Sequence, residues 1–176
     1  NENLYSHILG QIDDANNGIS GLEKKFDFKL KSEKSAIKLS VDTEVQFLIR
    51  EELIKFNKIF RSIGSAAILM DVNNGEILSL VSLPDFNLNE RVLITDKNYI
   101  NRITKGVYEL GSVFKTFTVA AALNEELIEP DTEFLNLEKE IRCGGRSIRE
   151  YDTEIPENLN VEQILIRSGN IGSVRI

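Results

Sequence analysis

Two runs suited to β-strands, residues 66–72 (Ala-Ala-Ile-Leu-Met-Asp-Val) and 76–82 (Glu-Ile-Leu-Ser-Leu-Val-Ser), are joined by Asn73-Asn74-Gly75. Those linking residues tolerate the positive φ of a tight hairpin, so two antiparallel strands are predicted. Pro84 ends the second strand, because it has no N–H to donate to a ladder. Upstream, Val45, Ile49, Leu53, Phe56, Phe60 and Ile63 recur every three or four residues. They share one face of a helix of about five turns, and that face is expected to be core. Asp42 and Thr43 are its N-cap candidates, Thr43 and Gln46 stand at capping-box spacing, and Gly64 is expected to close it. Downstream of Gly111, residues 112–125 are Ala-rich and apolar nearly all round, which predicts a helix buried on most sides.

The remaining segments are less regular. Residues 36–41 alternate as a short strand, and residues 85–104 read as a long polar loop with one helical turn. Residues 134–152 suggest an irregular or hairpin excursion around Cys143-Gly144-Gly145, and residues 160–167 resume a helical pattern behind a polar cap. Residues 1–38 show no continuous core pattern and are expected to be connecting structure. Six lysines from Lys24 to Lys38 alternate with Asp27 and Glu33, the pattern of a solvated face. A chain of 176 residues is long enough for one domain, or for one and a fragment. It starts without an initiator Met and reads as cut from something larger.

Charge narrows the function classes. With 21 basic against 28 acidic residues the net charge is -7, and a nucleic-acid partner is disfavoured, since that affinity rests on neutralising phosphates. One cysteine and one histidine make neither an internal disulfide nor a zinc cluster, so no metal and no cofactor are expected. No run approaches the roughly 20 apolar residues that span a bilayer. His7 reads as a surface histidine and Cys143 as a bystander.

The chemistry-bearing candidates are hydroxyl, amine and carboxamide groups. Ser112 and Lys115 stand three residues apart, one helical turn, where a hydroxyl can be the nucleophile and an amine its base if desolvation lowers the lysine pKa. Free N–H groups at a helix N-terminus can stabilise an oxyanion there. The bare Ser-x-x-Lys pattern is weak: 13 Ser and 12 Lys give about one chance occurrence, and Ser35-Ala36-Ile37-Lys38 is a second copy, without a buried helix behind it. Ser168-Gly169-Asn170 pairs a hydroxyl that can relay protons with a carboxamide that can bind an amide. Taken alone it reads more readily as a polar turn after a helix.

In order and spacing these two motifs resemble the first two of the three that mark penicillin-binding proteins, Ser-x-x-Lys, Ser-x-Asn and Lys-Thr-Gly. Further landmarks resemble class B members of that family. They are Gly18-Ile19-Ser20-Gly21-Leu22-Glu23 with Phe26-Asp27, Leu39-Ser40-Val41-Asp42, residues 66–71 with Gly75-Glu76-Ile77-Leu78, Ser82-Leu83-Pro84, and Asn101-Arg102 with Tyr108-Glu109-Leu110-Gly111-Ser112. Residues 101–109 are most similar to the cell-division (septal) branch, with the elongation branch the near competitor. The resemblance implies an α+β fold, an antiparallel sheet packed with a helical subdomain. Residues 1–38 would be the end of a non-catalytic pedestal and residues 39–176 the N-terminal part of the transpeptidase domain.

It also implies the roles. Ser112 would be the nucleophile acylated by a D-Ala-D-Ala stem peptide or a β-lactam, Lys115 the base, Ser168 a proton relay and Asn170 the substrate-amide ligand. The reaction would be cross-linking of peptidoglycan at the septum, outside the inner membrane, by a protein with a membrane anchor, division-complex membrane partners and a glycosyltransferase partner. Within residues 1–176 there is no Lys-Thr-Gly or Lys-Ser-Gly. The expectation is therefore a chain truncated at both ends, lacking the C-terminal strands and inactive by itself. A non-catalytic scaffold for division proteins is the alternative from another class. A serine β-lactamase or carboxypeptidase shares the motifs, but residues 18–27 favour the class B type.

Overall fold

A computed structural model describes residues 2–33, 36–90 and 97–176, in two units, Asn1–Val107 and Tyr108–Ile176. In the first, the predicted hairpin forms. Strand β1 (Ser65–Met70) pairs antiparallel with β2 (Ile77–Leu83), Ala67 opposite Val81, with a register shift between Leu69 and Met70. Of the linking residues only Gly75 (φ 77°) is left-handed. Asn73 and Asn74 act through side chains instead: Asn73 Nδ2 donates to Asp71 Oδ1 at 2.9 Å and Asn74 Oδ1 accepts the Glu76 N–H at 2.8 Å. Strand β2 stops at Leu83, before Pro84, and buries Ser79, Val81, Ser82 and Leu83.

The leader is more than connecting structure. Three short helices, α1 (Ser6–Leu9), α2 (Gly21–Lys25) and α3 (Asp27–Ser32), are knitted locally, for example by the Gly18 N–H donating to Asp27 Oδ1 at 2.8 Å. The described lysines of this stretch are exposed as predicted, Lys29 with Glu33 and Lys31 with Asp27 as surface i,i+4 pairs. Leu4 and Ser6 are buried, and the Asn3 carboxamide donates to Asp85 at 3.1 Å. Lys34 and Ser35, and with Ser35 the second Ser-x-x-Lys motif, lie outside the described residues. Residues 36–41 join no ladder among the described residues, contrary to the strand prediction. They are tied to β2 by the Ser40 hydroxyl donating to Ile77 O (2.8 Å), and the Asp42 N–H donates to Leu78 O (2.9 Å).

His7 is not a surface histidine. Its ring stands edge-on to Phe86 at 5.2 Å, and Nε2 lies 3.2 Å from Pro84 O, which makes that nitrogen the donor. Burial depresses its pKa, against the smaller effects of the Pro84 carbonyl and Asp85. As the single histidine its imidazole signals are unambiguous, and they are expected to titrate below the usual value of about 6.5 in an NMR pH series. Between the unfolded value and the depressed folded one only the unfolded chain binds the proton, so stability falls as pH falls through that window. A folded-state midpoint at or above the usual value would refute the burial.

Helix α4 (Thr43–Phe60) starts where predicted, with Asp42 as its cap: Oδ1 accepts the N–H groups of Glu44 (2.9 Å) and Val45 (3.0 Å). The capping box fails, because Gln46 points inward and is 1% exposed. Its Nε2 donates to Leu4 O (2.9 Å) and Leu80 O (2.8 Å), and its Oε1 accepts from Ser79 Oγ (2.7 Å) and the Leu80 N–H (2.9 Å). The helix ends on left-handed Arg61 (φ 51°), not at Gly64. Nor is the predicted face all core: Phe60 is 69% and Ile63 96% exposed. Periodicity decides which residues share a face, but the number of strands behind it decides how much is covered, and here, among the described residues, the sheet has two. Over residues 85–104, of which 91–96 lie outside the described residues, a 3₁₀ turn (Lys97–Tyr99) and α5 (Arg102–Lys105) form. Asn101 Oδ1 caps α5, and Ser82 Oγ accepts the Arg102 N–H at 3.0 Å.

In the second unit a 3₁₀ turn (Gly111–Phe114) runs into α6 (Lys115–Asn124). Strand β3 (Glu133–Phe134) pairs with β6 (Leu159–Asn160), and β4 (Glu140–Cys143) with β5 (Arg146–Arg149). The second pair is the predicted hairpin around Cys143, which stays exposed; Gly144 (φ 55°) and Gly145 (φ 80°) supply the two left-handed residues of a primed turn. Helix α7 (Val161–Ile166) carries a capping box between Asn160 and Gln163, and α8 (Asn170–Arg175) follows. Leu137, Ile155, Leu159, Ile164 and Ile171 form one core, Val119, Ala122, Ile128 and Val161 another, and Phe134 and Ile176 pack against both. Helix α6 is not buried on most sides. Val119 and Ala122 face the core, whereas Phe114 and Phe117 are exposed. Among the described residues no helix is long and apolar enough to cross a membrane.

Candidate active site

Ser112, Lys115, Ser168 and Asn170 all belong to the unit Tyr108–Ile176. Ser112 sits in the 3₁₀ turn and not in the α-helix it was expected to open; Gly111, at φ 56°, lets the chain enter that turn. The Lys115 N–H donates to the carbonyls of Ser112 and Val113, and α6 begins there. In 3₁₀ geometry side chains at i and i+3 eclipse, so Ser112 and Lys115 share a face more directly than on an α-helix. Ser112 is exposed and flanked by exposed Val113, Phe114 and Phe117.

The second motif is built by the end of α7. The Ser168 N–H donates to Leu165 O (3.1 Å) and the Gly169 N–H to Ile164 O (3.0 Å), closing the helix, while Ser168 takes a left-handed backbone (φ 54°). A polar turn after a helix is thus what the segment is locally, and it is also where the motifs meet. Helix α8 lies close on α7: a Cβ on Gly172 would stand 2.7 Å from Ile164 side-chain carbons, so only glycine allows that approach.

Lys115 joins the motifs. Its Nζ donates to Ser168 O (2.6 Å), Asn170 Oδ1 (2.7 Å) and, more weakly, Ser168 Oγ (3.3 Å). Desolvation pushes the lysine pKa below its ordinary value, against the attraction of the Glu150 carboxylate. A lysine so placed reaches its neutral form at lower pH than a solvated one, the requirement for a base. Of the four predicted residues, Lys115, Ser168 and Asn170 are in direct contact, and Ser112 is linked to them by its place one 3₁₀ turn before Lys115.

Three consecutive residues escaped the sequence reading. Arg149 O accepts from Asn170 Nδ2 (2.8 Å). Glu150 accepts the N–H of Asn170 on Oε2 (2.7 Å) and that of Ile171 on Oε1 (2.8 Å). The Tyr151 hydroxyl donates to Arg167 O (3.0 Å). They follow the Gly144-Gly145 hairpin and stand far from Ser168 in sequence, so no spacing rule could have found them. Among the described residues no group of three or more His, Cys, Asp or Glu is placed to hold a metal ion.

Residues 65–176 match the family described as penicillin binding protein transpeptidase domain. Over 97% of its length the chain is 31% identical to the probable peptidoglycan D,D-transpeptidase FtsI of Caulobacter vibrioides, covering 29% of that protein. To the peptidoglycan D,D-transpeptidase FtsI of Escherichia coli it is 26% identical over 96% of the chain and 32% of the relative. Its fold is similar to that of penicillin-binding protein 3 of Mycobacterium tuberculosis complexed with ampicillin, with a TM-score of 0.81 and 22% identity over 98% of this chain and 40% of that one. The chain thus spans about a third of the length of these curated relatives. The α+β fold expected of such a domain is the one observed.

Proposed function

Because the chain belongs to the penicillin-binding-protein transpeptidase family, we propose that the full protein carrying it is a peptidoglycan D,D-transpeptidase that works through a serine acyl-enzyme and is itself acylated by β-lactams. The observation that carries this reading is the Lys115 ammonium, bonded at once to Ser168 and Asn170 and one 3₁₀ turn from Ser112. In its neutral form Lys115 takes the proton of the Ser112 hydroxyl as Oγ attacks the carbonyl carbon of the D-Ala-D-Ala bond. The tetrahedral oxyanion collapses, the C–N bond breaks, and the terminal D-Ala leaves with a proton relayed by Ser168. The ester on Ser112 is then attacked by an amine of a neighbouring stem peptide. That restores the serine hydroxyl and leaves a cross-link. Asn170 keeps its amide at the reacting site, where it can hold the substrate backbone.

The finer reading is septal. Residues 101–109 resemble the cell-division branch, and two of the relatives carry the name FtsI. On that reading residues 1–38 are the end of a pedestal and residues 39–176 the first part of the transpeptidase domain. The whole protein is anchored in the inner membrane, faces outward at the septum and works beside division-complex proteins and a glycosyltransferase.

A labelled penicillin is expected to modify Ser112 in the full protein, seen as one adduct by intact mass and located by peptide mapping. Ser112→Ala should abolish the adduct. Label that persists in the alanine variant, or that maps to Ser35, removes Ser112 from the nucleophile's role. No adduct on a folded full-length protein would favour the scaffold alternative.

A further inference from the structure

We propose that Glu150 is a positioning residue of this site, whose carboxylate, by accepting the Asn170 and Ile171 N–H groups, sets where Ser168 and the Asn170 amide stand against Lys115. The inference rests on the acyl-transfer reading above. Helix α8 has no side-chain cap of its own, since its N-cap is Gly169. Its first two N–H groups are therefore satisfied from outside, each by one oxygen of the same carboxylate, an arrangement that fixes the direction of the turn as well as its distance. The flanking residues act on the same turn: Arg149 O holds the Asn170 side-chain amide, leaving its carbonyl oxygen to Lys115, and the Tyr151 hydroxyl holds Arg167 O. Residues 149–151 thus clasp residues 167–171 on both sides of Ser168. The Ser168 backbone is left-handed, a conformation disfavoured for a non-glycine residue, and such a turn persists when its surroundings over-determine it. Glu150 also has an electrostatic effect that a purely architectural side chain would lack, because its charge faces Lys115 and favours the ammonium.

The test compares the full-length protein with its Glu150→Gln and Glu150→Asp variants, reading the second-order rate of acylation by a chromogenic penicillin against pH. Glu150→Gln keeps the shape but only one acceptor oxygen, so acylation should slow roughly ten- to hundredfold, as expected when a reacting group is misplaced by about an ångström. Its acid limb should also move to lower pH, because loss of the carboxylate charge removes an attraction that raises the Lys115 pKa. Glu150→Asp keeps the charge but withdraws the oxygens by one methylene, so its rate should drop with the acid limb in place. Acylation by Glu150→Gln within twofold of the parent, with an unmoved acid limb, overturns the inference. Should Glu150→Gln not fold, Glu150→Asp decides alone, and a parental rate in that variant overturns it. Failure of the underlying reading shows differently: the parent itself would then not be acylated on Ser112.

Discussion

Replacing Lys115 by arginine in the full-length protein is expected to slow acylation by penicillin about 10³-fold or more, while the fold survives. A positioned general base contributes roughly 10²- to 10⁴-fold, and a guanidinium cannot supply it, because it stays charged at any working pH. The contacts explain why structure and activity should separate. Ser168 O, Ser168 Oγ and Asn170 Oδ1 are all acceptors, and arginine offers donors to each of them. The half-buried site already tolerates a cation, so charge conservation leaves the turn satisfied. In the parent, acylation should rise with pH as Lys115 loses its proton, with a midpoint below the ordinary lysine value because desolvation disfavours the ammonium. Stopped-flow rates across pH for both proteins check the two statements together. An arginine variant acylating at near the parental rate would assign the proton to another group and reduce Lys115 to a strut between the motifs.

The second large effect is on stability and lies in the other unit. Gln46→Leu should destabilise residues 1–107 by about 3 to 5 kcal/mol, although leucine is similar in volume and a better match for an apolar helix face. Every hydrogen-bonding capacity of the Gln46 amide is used: two N–H donated to Leu4 O and Leu80 O, two lone pairs to the Ser79 hydroxyl and the Leu80 N–H. Leucine would leave those partners buried without a substitute, each costing about 1 to 3 kcal/mol less whatever relaxation recovers. The amide also joins the leader, α4 and β2, so its loss should loosen the leader first. Hydrogen exchange at the β2 amides and around Leu4 measures this locally, apart from the rest of the molecule. A change below about 1 kcal/mol would mean that water replaces the lost partners and the network is not cooperative.

What local sequence governs was readable in advance. The β1–β2 hairpin, the Asp42 start of α4, the Gly144-Gly145 turn and the polar start of α7 at Asn160 each follow from residues within one or two turns of one another, and each formed. The placement of Ser112 one turn before Lys115 was readable for the same reason, because three residues is a distance that a helical turn sets without help. So was the family, whose landmarks are short strings in fixed order. Other features depended on what meets what across the fold. Gln46 had the spacing of a cap partner and became a buried junction, because Leu4 and β2 offered its amide four bonds. Phe60 and Ile63 had the period of core and stayed exposed, because a two-stranded ribbon covers only part of the face that period defines. Helix α6 had the composition of a helix buried on most sides, yet only its Val119 and Ala122 are buried. At the candidate site, the sequence by itself determined the groups on offer, a hydroxyl, an amine, a second hydroxyl and a carboxamide, in an order that resembles the motifs of the family. Tertiary structure alone decided that Lys115 meets Ser168 and Asn170 across more than fifty residues, and that Glu150 caps α8 from another segment. Chain periodicity carries no information about such contacts, because their geometry is set by how α7, α8 and the β4–β5 hairpin pack around Ile164 and Ile171.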